Sequence, residues 1–130
     1  MVDIIHRIGI KAPATKVYEA LATAQGRGRK DGKEIGQMDF EMTKLEANRE
    51  VRWRFLGGPP EWVGTDATFQ LTQDGDTTVL LFGHRNWREA IEFTAHCSMK
   101  WAVFLLSLRD FVETGKGRPS PDDLKIDNWN

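Results

Sequence analysis

Near the C-terminus, Cys97, Trp101, Phe104, Leu105, Leu108, Phe111 and Val112 recur at i, +4, +7, +8, +11, +14 and +15. That is the spacing of one continuous apolar stripe on a long helix. Lys100, Ser107, Arg109, Asp110 and Glu113 fall on the opposite side. At roughly 1.5–3 kcal/mol per buried large apolar side chain, the stripe contributes on the order of 10–20 kcal/mol before entropy is subtracted. Gly115 supplies a C-terminal cap and Pro119 lies just beyond, so the helix should stop near Thr114. Its start has two candidates, Asn86 with Glu89 as a capping box, or Thr94 as the cap. A helix this apolar needs a sheet to lie on.

Period-two patterns supply the sheet. Ile4, His6, Ile8 and Ile10 alternate with Ile5, Arg7, Gly9 and Lys11, as in a strand with one buried face. Pro13 then suits the first turn of a helix, and Val17, Tyr18 and Leu21 extend it from about Pro13 to Ala22. Residues 24–37, AQGRGRKDGKEIGQ, hold four glycines and four cations and read as a flexible, solvated loop. Met38, Phe40 and Met42 resume the alternation, Ala47-Asn48-Arg49 turns the chain, and Val51, Trp53 and Phe55 return. After the breaker Gly57-Gly58-Pro59-Pro60, a strand is expected from about Glu61 to Thr72, with Val63, Thr65, Ala67, Phe69 and Leu71 on one face. Asp74-Gly75 signals a hairpin. The last strand, Thr77 to His84, is apolar on both faces and is therefore placed centrally, with both sides covered. Strand, helix, four strands and a long helix make an α+β fold, an antiparallel sheet curved around the last helix.

Composition narrows the function classes. The 130 residues suffice for one domain, 1–130, with 116–130 as a polar C-terminal tail. A formal net charge of −1 argues against a nucleic-acid partner. No apolar run approaches the roughly 18 residues of a membrane span. The N-terminus lacks the basic and long apolar regions of a secretory signal, so a cytoplasmic protein is expected. A single cysteine excludes an internal disulfide and a multi-cysteine zinc site.

The loop at 24–37 does not carry phosphate chemistry. Only three residues separate Gly28 from Gly32-Lys33 where a P-loop needs four, and Glu34 replaces the magnesium-binding Ser or Thr. The dinucleotide fingerprint fails too, because Asp31 occupies its third glycine position. His6, His84 and His96 are scattered and give no metal motif, so neither a metal nor a cofactor is implied. His96 and Cys97 point about 100° apart on a helix, poor geometry for a base and its nucleophile. Cys97 begins the apolar stripe and reads as a small hydrophobe. His84 shares a strand face with Thr78, Leu80 and Phe82. It is either hydrogen-bonded at the strand end or a ligand-contacting, proton-transferring group, and is the one weak catalytic candidate. Glu41, Asp66 and Glu92 read as lone, solvated carboxylates.

Five tryptophans are many for this length. Trp53 and Trp101 belong to inward faces, as core or as walls of an apolar pocket. Trp62 has the opposite parity to Phe69 and Leu71, on the outer face or at a sheet edge. Trp87 follows the last strand and would plug the entrance to the final helix. Trp129 lies in the polar tail, disordered or folded back.

The stretches HRIGIKAPATKVYEAL, KLEANREVRW, EWVGTDATFQL, TTVLLFGHRNW and WAVFLLSLRDFVETGKGRPSP, in this order, resemble the START-like helix-grip (SRPBCC) superfamily. Within it they resemble the branch named for the activator of the heat-shock-chaperone ATPase. The resemblance implies a cavity between sheet and C-terminal helix that holds a hydrophobic small molecule, a lipid, a polyketide or an aromatic. Phe40, Met42, Trp53, Phe69, Phe82, His84, Trp101 and Leu105 are its expected lining. No universal catalytic set comes with it. One departure stands out: only residues 24–37 occupy the place of the family's second helix and a further strand. A shortened wall leaves a sheet edge to cover, and a homodimer is expected on that ground. Three functions compete, in this order. They are binding of a hydrophobic small molecule, cyclase- or dehydratase-type catalysis with His84 as acid or base, and a co-chaperone-like protein interaction.

Overall fold

The computed structural model describes residues 1–23, 29–30, 33–34, 39–118 and 122–129. Its elements are β1 (Val2–Ile10), α1 (Ala14–Ala22), β2 (Arg29–Lys30), β3 (Lys33–Glu34), β4 (Asp39–Glu46), β5 (Glu50–Gly57), β6 (Asp66–Asp74), β7 (Thr77–Trp87) and α2 (Glu92–Thr114). Five strands form one antiparallel sheet in the order β1-β7-β6-β5-β4, and β2 pairs with β3 in a two-residue ribbon. The expected α+β architecture is present, with two helices among the described residues. Most of the loop expected at 24–37 lies outside the described residues.

Alternation decides what each strand buries. Val51, Trp53 and Phe55 on β5, Phe69 and Leu71 on β6, and Leu80, Phe82 and His84 on β7 all point into one layer. Ile4 and Ile10 of β1 join them, as do Val17 and Leu21 of α1 and Cys97, Trp101, Leu105 and Leu108 of α2. Both helices thus lie on one face of the sheet. Gly115 closes α2 with φ +84, its N–H donating to the Phe111 carbonyl at 2.8 Å, a left-handed cap that glycine adopts without steric cost.

Several expectations are corrected. The strand expected from Glu61 begins at Asp66, because residues 60–64 form turns. Trp62 N–H donates to the Pro59 carbonyl at 2.9 Å, Gly64 has φ +84, and Thr65 N–H donates to the Trp62 carbonyl at 2.9 Å. Prolines followed by a left-handed glycine fold the segment inward before the ladder can start. The last strand runs on to Trp87, three residues beyond His84, with Asn86 at φ 76. It is internal to the sheet, between β1 and β6, but only one face is covered: Leu81 is 37% exposed.

The final helix begins at Glu92, and neither candidate cap stands at its N-cap; Ile91 does. Thr94, three residues in, accepts the Ile91 N–H on Oγ1 at 3.1 Å. Phe111 of the apolar stripe is 41% exposed. Asp66 is not solvated: it is buried, salt-bridged to Arg54 Nε at 3.0 Å, and receives Asn86 Nδ2 at 3.3 Å.

The tail is no free appendage. Its described residues run back along a flank of α2, so that partners rise along the tail as they fall along the helix. Arg118 N–H donates to Ser107 Oγ, Lys100 pairs with Asp123, and His96 Nδ1 lies 2.7 Å from Asp127. Trp129 packs on His96 and Phe93, with ring centroids 5.2 and 6.3 Å apart. Trp129 is therefore folded back.

Candidate functional site

The layer between sheet and α2 is aromatic from end to end. Phe40 of β4 stacks on Trp53 with centroids 4.3 Å apart, and Trp53 meets Phe69 at 4.7 Å. Phe69 meets Phe82 at 5.3 Å, and Phe82 meets Trp101 of α2 at 4.6 Å. Phe104 stands edge-on to Trp101 at 5.4 Å. The eight expected lining residues are thus brought together on one side of the sheet. Trp53, Phe69, Phe82, His84, Trp101 and Leu105 are buried, and Phe40 and Met42 are partly buried against them.

Sequence reasoning left out four neighbours. The parity of Trp62 predicts the outer face or a sheet edge. Instead the turn at 60–64 carries it inward, where it stacks on Trp101 at 5.6 Å and meets Phe55 at 4.8 Å. Trp87 is buried beside His84 at 5.1 Å as the last residue of β7. Phe55 lies 5.2 Å from His84. Thr65 supplies the remaining polar group. The prolines and glycine around Trp62 were the available signal, since together they argue against an unbroken strand.

His84 sits at the centre of a directed hydrogen-bond chain. The Trp101 indole N–H can only donate, so at 2.9 Å it makes His84 Nδ1 the acceptor. Nε2 then carries the ring proton and donates to Thr65 Oγ1 at 2.7 Å, and that hydroxyl donates to the Trp62 carbonyl at 2.6 Å. Both nitrogens are committed in the neutral tautomer. Burial depresses the imidazole pKa to about 3, against a smaller raising effect of Asp66 and then Asp3. In this arrangement a substrate reaches either nitrogen only by breaking a bond of the chain.

Other buried polar atoms in the layer are left over. The indole N–H groups of Trp53 and Trp87 have no hydrogen-bond partner. The Trp62 indole faces the Cys97 thiol, whose pKa burial pushes up to about 11, so Cys97 stays protonated and unreactive near neutrality. Among the described residues, no three His, Cys, Asp or Glu side chains are grouped to hold a metal ion. No described helix is long and apolar enough to cross a membrane.

Comparison with known proteins gives a fold-wide match. The solution structure of an Aha1 dimer from Colwellia psychrerythraea is 42% identical, covering 90% of this chain and all of the other, with a TM-score of 0.74. An AHSA1-like protein from Rhizobium etli is 16% identical over 99% of this chain and 92% of the other, with a TM-score of 0.63. DynU16, described as a putative protein in the dynemicin biosynthetic locus, is 24% identical over 88% of this chain and 48% of its own, with a TM-score of 0.68. At these lower identities the likeness is one of fold. No family model and no curated protein matches the chain.

Proposed function

This chain belongs to the Aha1-like family of the helix-grip (SRPBCC) superfamily, and on that premise we propose that it binds an apolar small molecule between sheet and α2 without transforming it. The observation that carries this reading is the Trp53 indole N–H, fully buried among aromatic rings and without an acceptor. Leaving such a donor unpaired costs about 1–3 kcal/mol, which a ligand carbonyl or hydroxyl oxygen would recover. Phe40 and Met42, only partly buried on the edge strand β4, give that end of the layer its access. The ligand class is a flat or extended hydrocarbon skeleton bearing at least one acceptor. A non-catalytic role is supported by His84, whose nitrogens are both engaged.

Anthraquinone and anthracene test this as a pair, since they share a skeleton and differ in two carbonyls. Anthraquinone should quench the tryptophan fluorescence saturably and bind more tightly than anthracene. Trp53→Phe keeps an aromatic ring and removes the N–H, so it should weaken anthraquinone about tenfold and leave anthracene within about twofold. Absence of saturable quenching by either compound, together with no adduct in native mass spectrometry, overturns the reading.

We propose self-association as well, supported by the 42% identical relative whose structure is a dimer.

A further inference from the structure

We propose that this protein dimerises through the outer face of its sheet, with Arg7 of each copy paired to Asp74 of the other. The proposal rests on the self-association put forward above and adds the surface. Both helices lie on the opposite face, so no described helix covers this one. The ladders set its residues in rows. Arg7, Leu81 and Gln70 form one row, Gly9, Val79 and Thr72 the next, and Thr77 with Asp74 the third. These rows frame a groove of about 510 Å³ lined by Arg7, Gln70, Thr72, Asp74, Val79 and Leu81, with Gln73 at its end.

The middle of the groove is apolar. Leu81 is 37% exposed and Val79, next to it along β7 on this face, is half-buried; Ile5, one row beyond the groove on β1, is 48% exposed. The charges lie at its corners. Arg7 and Asp74 stand two strands and two rows apart, with Val79 midway. A two-fold axis lying between two such faces, over Val79, sets Arg7 of one copy against Asp74 of the other, twice. The apolar strips then meet at the centre, and the sheets cross at a steep angle, as in orthogonal sheet packing.

Several charges elsewhere on this face are matched within the chain. Arg52 is bonded to Glu50, Arg54 to Asp66, Arg85 to Asp3 and Lys44 to Glu50. Among the described residues that line the groove, Arg7 and Asp74 are the two charged ones, and neither has an ion-pair partner within the chain. One positive and one negative corner around an apolar centre is self-complementary. A second copy fits both corners, whereas a partner of one charge sign fits only one.

The test uses sedimentation velocity on the full chain from about 1 to about 200 µM, where a mass-action dimer reveals itself by its concentration dependence. The variants are Arg7→Asp, Asp74→Arg and the double reversal. Both positions are exposed, and near-ultraviolet circular dichroism verifies folding. The wild type should dimerise, each single reversal should weaken the dimer at least tenfold, and the double should restore it to within about threefold. A wild type that stays monomeric overturns the proposal and self-association together, leaving the groove to another occupant. A dimer that neither reversal weakens overturns only this surface. Failure of the double to rescue the singles overturns it as well. Anthraquinone binding, on the other side of the sheet, should be unchanged in all three variants, which separates this outcome from that of the ligand reading.

Discussion

His84 is a buried imidazole held neutral, and that makes it a stability device whatever else the fold does. Its folded pKa of about 3 lies below the ordinary 6.5, so between those values the unfolded chain binds the proton that the folded one refuses. The stabilisation is complete above about pH 6.5 and drains away as the pH falls toward 3. At about 1.4 kcal/mol per unit the whole effect is roughly 4–5 kcal/mol, of which about 2 kcal/mol should be lost between pH 7 and pH 5. Urea unfolding at those two pH values checks it: His84→Gln should be less stable at pH 7 yet lose at least about 1 kcal/mol less on acidification. Equal pH dependence in both proteins would refute the assignment. Position 84 on an inward strand face was evident from alternation alone. Its partners were not, because Trp101 lies 17 residues away and Thr65 lies 19, and sequence spacing carries no information about which side chains a sheet and a helix bring together.

At the scale of elements, α2 is the part most fully written in the sequence, and the tail is the part least so. The 3.6-residue period places Cys97, Trp101, Leu105 and Leu108 on the core side and Gly115 at the cap. A second row, Phe93, His96, Lys100, Val103 and Ser107, meets the returning tail, and Val103 within it is buried although it stands outside the core cluster. Polar composition made the tail look solvated because each of its contacts is an isolated pair rather than a periodic stripe. Asp123 is the tail's buried anchor on Lys100. Asp123→Ala should cost about 1–2 kcal/mol and raise hydrogen exchange across 122–129, while the amides of α2 facing the core stay protected. A tail whose exchange is already unprotected in the wild type would contradict the docked arrangement. Asp127 is held below the usual carboxylate range, first by its hydrogen bond with His96 and then by the Trp129 N–H. The turn at residues 60–64 is the opposite case, legible in principle from Pro59, Pro60 and Gly64 but outweighed by the period-two run around it.

For the whole molecule, strand order sets which parts open first. β7 pairs with β1 and β6 along its length and has the buried row Thr78, Leu80, Phe82 and His84. β1 and β4 are the edges, each with one neighbour, but β1 places Ile4 and Ile10 in the core cluster whereas Phe40 and Met42 of β4 are only partly buried. Native-state hydrogen exchange should therefore rank β7 and β6 slowest, approaching global unfolding, and β4 fastest among the long strands. A β4 as slow as β7 would contradict the topology. Period, capping and turn chemistry act over a few residues, so the number and type of the main elements, the inward faces of most strands and the stop of α2 are legible along the chain. It also carried the family resemblance. Tertiary structure alone decided that Asp66 is buried and paired, that His84 has no free nitrogen, and that the tail lies along α2. Each of these depends on groups far apart in the chain, whose meeting is fixed by how the sheet and helix pack. The outer groove belongs to the same class: Arg7 and Asp74 are 67 positions apart, and only the pairing of β1, β7 and β6 makes them two corners of one surface.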